Sequence, residues 1–270
     1  MRKLVVPGTD LQTSRFIFGT GNLIKTGTQS ARRRSLEVAV EHGFLHFDTA
    51  PYYGFGVAER DLASVLKTHS QVQVTTKVGI YSVGGDEQPV SAVLMRKICG
   101  KAFPSMVRPI RSFDLERARR SLEGSLRRLS RDCIDLYLLH EPELDQLAVE
   151  DWVDWLQSCQ RRGQIRHFGL SHMVADLLAP FLSPPSPLVN VIQVRDSWST
   201  READVLNRYG RPLQITFGYV SSARASGRGH SVDEILQRAM QRNPHGPIIV
   251  STTRIDRIAQ YARLLEAPRD

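Results

Sequence analysis

With 270 residues, 41% of them hydrophobic and 24% charged, the chain can bury a sizeable core without help from disulfides or metals. Its mean hydropathy of -0.26 and the lack of an apolar stretch of spanning length argue against a membrane protein, and three scattered cysteines (Cys99, Cys133, Cys159) argue against a disulfide framework or a cysteine zinc site. The net charge of +8 invites a nucleic-acid reading, but there is no aromatic-basic interleaving, no zinc-finger spacing and no RNA-binding signature, so nucleic acid is not the expected partner.

The basic, apolar start Met1–Val6 is broken by Pro7-Gly8 too early for a signal peptide, and a reducing, cytoplasmic setting is expected. Leu4–Val6 and Leu11–Thr13 flank Pro7-Gly8-Thr9-Asp10, which reads as a hairpin. Eight short β-branched runs follow: Arg15–Phe18, Leu45–Asp48, Val72–Lys77, Ile134–His140, Ile165–Ser171, Val189–Val194, Leu213–Phe217 and Ile248–Val250. Helical periods alternate with them. Leu36, Ala39, Val40 and Gly43 share a face, as do Leu115, Ala118, Leu122, Leu126 and Leu129. So do Trp152, Trp155, Leu156 and Cys159, and finally Ile255, Ile258, Ala259, Ala262 and Leu265. The paired arginines on these segments (Arg32 to Arg34, Arg119-Arg120, Arg127-Arg128, Arg161-Arg162) read as solvated helix faces.

Most strand-to-strand spacings are about thirty residues, the size of a βαβ unit. The exception is the insertion from Val78 to Arg111, ahead of a helix expected near Ser112. Loops that long are usually functional or disordered. No low-complexity linker divides residues 1–270, so one (β/α)₈ TIM-barrel domain with an N-terminal β-hairpin is expected. The competing doubly wound sheet needs a glycine-rich turn opening a helix. Neither Phe18-Gly19-Thr20-Gly21-Asn22 nor Gly54-Phe55-Gly56 completes that fingerprint.

Reacting groups of such barrels come from the C-terminal ends of strands and the loops after them. Here those ends read His46-Phe47-Asp48, followed by Thr49-Ala50-Pro51-Tyr52-Tyr53-Gly54, then Val74-Thr75-Thr76-Lys77, then Ile134 to His140 with Glu141-Pro142 beyond. Singly, each polar residue has an ordinary structural reading as a cap, an anchor or a solvated strand end. An acid, a phenol, an ammonium and an imidazole converging on one barrel mouth are a different matter.

The run Phe47 to Gly54 with Glu59 following resembles the aldo-keto reductase signature, Thr76-Lys77 is similar to that family's lysine strand, and Ser121 to Leu129 with Ile134 to His140 resembles its third helix and histidine strand. The resemblance covers nearly the whole chain. It implies Tyr53 as general acid, completed by Asp48, Lys77 and His140, in an NADPH-dependent reduction of aldehyde or ketone carbonyls. Hydride transfer leaves charge on oxygen that must be protonated. A free phenol with a pKa near 10 is a poor acid at neutral pH, so the Lys77 ammonium is expected to lower it. Asp48 would hold the ammonium, and His140 would orient the carbonyl.

For the cofactor, the resemblance implies Gly19 and Thr20 after the first barrel strand, Ser171 and His172, Gln193, Phe217, and Thr252 with Arg257 at the 2′-phosphate. Several positions depart from the family pattern. His172 replaces an asparagine, Gly218-Tyr219-Val220 replaces a Ser-Pro-Leu run, Ser251 replaces a frequent lysine and Tyr261 a frequent asparagine. The chain ends soon after its last helix, which makes the 78–111 insertion the expected pocket wall, a mobile surface loop being the alternative. The small-molecule partner is then a carbonyl compound, with no metal. Two other functions stay open: a nicotinamide-binding redox sensor with little turnover, and a barrel lyase or isomerase using Lys77 as a Schiff base.

Overall fold

The computed structural model describes residues 3–100, 102–227 and 229–265. Eight parallel strands close into a barrel: β1 (Phe16–Gly19), β2 (His46–Asp48), β3 (Gln73–Val78), β4 (Ile134–His140), β5 (Ile165–His172), β6 (Val191–Arg195), β7 (Ile215–Phe217) and β8 (Ile248–Val250). They pair in chain order, and β8 closes on β1 with Ile248 opposite Phe16 and Val250 opposite Phe18.

The helices are α1 (Gln29–Glu41), α2 (Val57–Thr68), α3 (Val90–Cys99), α4 (Leu115–Leu129) and α5 (Val149–Arg161), then α6 (Ala175–Leu178), α7 (Asp204–Arg208), α8 (Tyr219–Ala225), α9 (Val232–Arg242) and α10 (Ile255–Arg263). Side chains cap three of them: Thr28 accepts from the Ala31 amide, Asp114 from Arg117 and Ser231 from Glu234, each satisfying an orphan N–H of the first turn. Among the described residues no helix is long and apolar enough to cross a membrane.

Strand alternation sorts the core into two layers. Ile17, Leu136, Leu138, Val191 and Ile215 fill the barrel interior, and Val6 and Leu11 of the hairpin pack beneath them. Phe16, Phe18, Phe47, Val74, Tyr137 and Leu139 face outward onto the helices. The expected stripe Trp152, Trp155, Leu156 and Cys159 is buried throughout. At Gly169 a side chain is not possible, because a Cβ would stand 1.8 Å from the Val191 carbonyl oxygen, and that contact lets β5 approach β6 closely.

The hairpin pairs Lys3–Val5 with Gln12–Ser14, one residue away from its expected arms. Val189, expected in a strand, lies instead in a 3₁₀ turn over Pro187–Val189, and β6 begins at Val191. Two of the arginines expected on solvated faces are buried. Arg32 pairs with Asp61, both 1% exposed, and Arg128 pairs with Glu59 at 2.7 Å. Removing one partner of such a pair would strand a charge, at a cost of about 3–5 kcal/mol.

The described residues of the 78–111 insertion include a short two-stranded pairing and a helix. Ile80–Tyr81 pairs antiparallel with Ile110–Arg111, and α3 lies between them. Val93 of α3 packs against Phe55 of the β2–α2 loop and Val57 at the start of α2. Arg60 of α2 holds the near side by donating to the carbonyls of Asp86 and Gln88 at 3.1 and 2.6 Å. The insertion therefore stands against the loop that carries Tyr53.

Candidate active site

The interior row of each strand ends at the C-terminal mouth, and by alternation Asp48, Lys77, His140, Ser171, Gln193 and Phe217 belong to that row. Parallel register aligns three of them, His140 opposite Ser171 and Ser171 opposite Gln193, while Asp48 stands opposite Thr75 and Lys77 opposite Leu138. Tyr53 enters from the loop after β2.

Lys77 is 1% exposed and its Nζ donates to both carboxylate oxygens of Asp48 at 2.7 Å and to the Thr49 carbonyl at 2.9 Å. The same ammonium is 3.4 Å from the Tyr53 hydroxyl and 5.0 Å from the centre of its ring. Burial works against the ammonium, but Asp48 and Tyr53 outweigh it and hold Lys77 above its ordinary range. For Tyr53 the balance differs from the expectation. Burial pushes the phenol up, Lys77 pulls it down, and the net direction is upward. A desolvated phenolate in this pocket costs more than one ammonium, already shared with Asp48, returns. The structure thus holds a neutral phenol next to a cation.

The His140 ring meets the Tyr53 ring edge-on, with centroids 6.1 Å apart. Burial, with Lys77 and Arg111 adding to it, keeps His140 well below the ordinary histidine range, so the imidazole is neutral. Its buried Nδ1 has no hydrogen-bond partner among the described residues. Thr20 supports the acid: its amide and its hydroxyl both donate to the Asp48 carbonyl, at 2.9 and 3.0 Å. Gly21 lies against the Tyr53 ring, where a Cβ would be 3.7 Å from the ring carbons. Beneath the site His46 bridges the hydroxyls of Thr13 and Thr75 at 3.1 and 2.7 Å, a contact with no counterpart in the sequence reading.

Two groups of side chains could hold a nicotinamide dinucleotide. At the mouth, the Gln193 amide helps stabilise the Asp48 carboxylate while its buried Oε1 lacks a partner among the described residues. Ser171 is buried beside it, and Phe217 is half-buried on the next strand. His172 alternates to the outer side of β5, its ring 6.0 Å from Phe181. Burial lowers His172 to about 4. The Thr20 hydroxyl is spent on Asp48, and Gly19 leaves its place bare because a Cβ there would stand 2.9 Å from Ile249.

The second group surrounds an open pocket of about 430 Å³ between the start of α10 and the loop after β1. Thr252 and Arg257 both line it; the Arg257 guanidinium reaches the Tyr261 hydroxyl, and its buried Nε has no partner among the described residues. Lys25, Arg224 and Arg254 line it too, and the sequence reading did not include them. Lys25 lies in the 3₁₀ turn Leu23–Thr26 and Arg224 on α8, far apart in the chain. Four cations around Ser251 and Thr252 are the donor set of a multiply charged phosphate ester. The residues present therefore fit the cofactor at both ends.

The Aldo/keto reductase family profile matches residues 15–208. Among curated relatives, D-threo-aldose 1-dehydrogenase of a Pseudomonas species is 30% identical over 162 residues, covering 58% of this chain and 49% of that protein. L-galactose dehydrogenase of Arabidopsis thaliana is 28% identical, over 66% of this chain and 51% of that one. The matched part thus spans about half the length of these relatives. Among solved structures, the holo form of an aldo-keto reductase from Bacillus halodurans superposes with a TM-score of 0.74 at 20% identity, covering 99% of this chain and 92% of that one. One from Klebsiella pneumoniae in complex with NADPH gives 0.65 at 19% identity, covering 100% and 92%.

Proposed function

Because the chain belongs to the aldo/keto reductase family, we propose that residues 1–270 form one barrel domain that reduces aldehyde or ketone carbonyls to alcohols with NADPH. The observation that carries this reading is the buried contact set of Lys77 with Asp48 and Tyr53, with the neutral His140 ring beside the phenol. NADPH, when bound, supplies the hydride; the protein supplies position and proton.

Tyr53 gives its proton to the carbonyl oxygen as charge builds there. Its high resting pKa keeps that proton in place until the oxygen becomes basic enough to take it. The Lys77 ammonium then faces the new phenolate and stabilises it, so its contribution is larger after transfer than before. Asp48 keeps the ammonium charged and aimed. The neutral His140 offers a ring nitrogen to the substrate oxygen and fixes the carbonyl relative to Tyr53.

Gln193 and Ser171 hold the carboxamide end of the cofactor in this reading, and Phe217 lies against its ring. Gly19 leaves room beside them, and Thr20 serves through Asp48. His172 is kept as a carboxamide contact that needs its ring to turn from Phe181. Thr252 and Arg257 bind the 2′-phosphate, joined by Lys25 and Arg224. The cytoplasmic assignment belongs to the same proposal and draws on Cys99, Cys133 and Cys159, which are all unpaired thiols.

The test is NADPH oxidation by the purified protein against a panel of aldehydes, ketones and sugars. Turnover of at least one carbonyl supports the reading. Tight NADPH binding with no turnover of any would favour a nicotinamide sensor instead.

A further inference from the structure

The 78–111 insertion returns to the barrel at Arg111, which pairs with Ile80 three residues beyond the Lys77 strand position. Its guanidinium Nη2 donates to Glu141 Oε2 at 2.7 Å, and Glu141 follows His140 directly. Glu141 is itself held in place. It adopts a left-handed backbone with φ of 55°, and its amide donates to the Ser171 carbonyl at 2.8 Å. Arg111 thus stands at the lip of the mouth, anchored to the residue that turns the chain after His140.

Three features set this arginine apart from a surface ion pair. It is 44% exposed while its partner Glu141 is 14% exposed, so the cation projects outward and the carboxylate lies behind it. One Glu141 oxygen and a marginal contact to the Glu141 carbonyl use few of its five N–H donors. Its charge also reaches into the site. After burial and Lys77, Arg111 is the next influence holding His140 neutral, and it acts in the same sense on His172. Lys77 cannot serve an anionic substrate, because Asp48 already occupies it.

We propose that Arg111 is a specificity-determining residue that binds the carboxylate of a short oxo-acid while Tyr53 and His140 hold its carbonyl. The proposal rests on the reductase reading and names the substrate class for it. Glu141 orients the guanidinium, leaving the remaining donors for a second carboxylate, which a planar fork can bind through two parallel hydrogen bonds. The insertion is then a specificity wall that carries a cation.

The experiment compares 4-oxobutanoate with its methyl ester, which has the same chain length and aldehyde but no charge, in the wild type and in Arg111→Ala. The wild type is expected to prefer the acid. In Arg111→Ala, kcat/KM for the acid falls by about ten- to a hundredfold relative to that for the ester, mostly through KM. Continued turnover of the ester also reports that the variant folds. Arg111→Lys keeps the charge without the fork and should recover only part of the loss. Equal turnover of acid and ester by the wild type, or an equal fall for both in Arg111→Ala, overturns the proposal. If no carbonyl is reduced, the reductase reading fails, and calorimetric titration of succinate into NADP⁺-saturated protein decides the question of Arg111. Binding that Arg111→Ala abolishes supports the carboxylate site; binding unaffected by it, or no binding, overturns it.

Discussion

Lys77 Nζ lies 2.7 Å from both carboxylate oxygens of Asp48 and 3.4 Å from the Tyr53 hydroxyl, so the ammonium is committed to the acid and only leans on the phenol. That inequality sets what each group does. Asp48 fixes the cation, burial keeps Tyr53 protonated, and the ammonium gains on the phenol only when the proton leaves.

Tyr53→Phe should therefore lose about 10² to 10⁴ in the rate of carbonyl reduction, while NADPH affinity stays close to that of the wild type. Steady-state kinetics and a fluorescence titration of the cofactor check both halves. Wild-type turnover in this variant would move the acid to Tyr52 or to a water.

Lys77→Met removes the cation that pulls the phenol down, so the Tyr53 pKa should rise further. The alkaline limb of the pH–rate profile shifts upward and the maximal rate drops. An identical apparent pKa in both proteins would remove Lys77 from the proton transfer.

Acid should destabilise the fold earlier than its carboxylates alone require. Burial lowers His46 to about 3 and His172 to about 4, from an unfolded value of 6.5. Below pH 6.5 the unfolded chain takes up protons that the native imidazoles refuse. Stability is complete above 6.5 and is lost as pH falls toward those folded values. Each such histidine contributes about 1.4 kcal/mol per pH unit in that window, or about 2 kcal/mol by pH 5. Urea midpoints of the wild type and His46→Gln at pH 7.5 and 5.0 measure it, with a shallower fall expected in the variant.

The cofactor preference should be NADPH over NADH, narrowed in Arg257→Ala. A charge-assisted phosphate contact is worth on the order of 1.5–3 kcal/mol, roughly ten- to a hundredfold. With Lys25 and Arg224 on the same pocket, the variant should keep part of the preference. Equal dissociation constants for the two cofactors in the wild type, or an equal loss for both in the variant, would sink the assignment of Arg257.

The barrel was legible because its strands are short apolar runs at regular spacing, and the mouth because three of those runs close on a titratable group, at Asp48, Lys77 and His140. What stayed hidden depends on distance and on burial. Lys25 and Arg224 are 199 positions apart and meet only when β8 closes beside β1. Arg32 looks like its solvated neighbours Arg33 and Arg34, because helical phase says which face it takes but not that Asp61 waits there. The Tyr53 shift was misjudged because a neighbouring cation is visible in a sequence and desolvation is not. The insertion carries turn residues throughout, which hides the two-residue pairing of Ile80–Tyr81 with Ile110–Arg111.

The meeting of Gly56 with the insertion has a mechanical meaning. Gly56 has φ of 81°, and a Cβ there would fall 1.7 Å from the Asp86 carbonyl oxygen. Three residues earlier stands Tyr53, and Val93 of α3 closes on Phe55 of the same loop and on Val57, which opens α2. The insertion and the loop that bears Tyr53 thus meet backbone to backbone, like two leaves of one hinge plate. A substitution that thickens either leaf must displace the other. In the reductase reading, refitting the insertion to a new guest would also re-aim the phenol, so substrate range and catalytic rate would vary together.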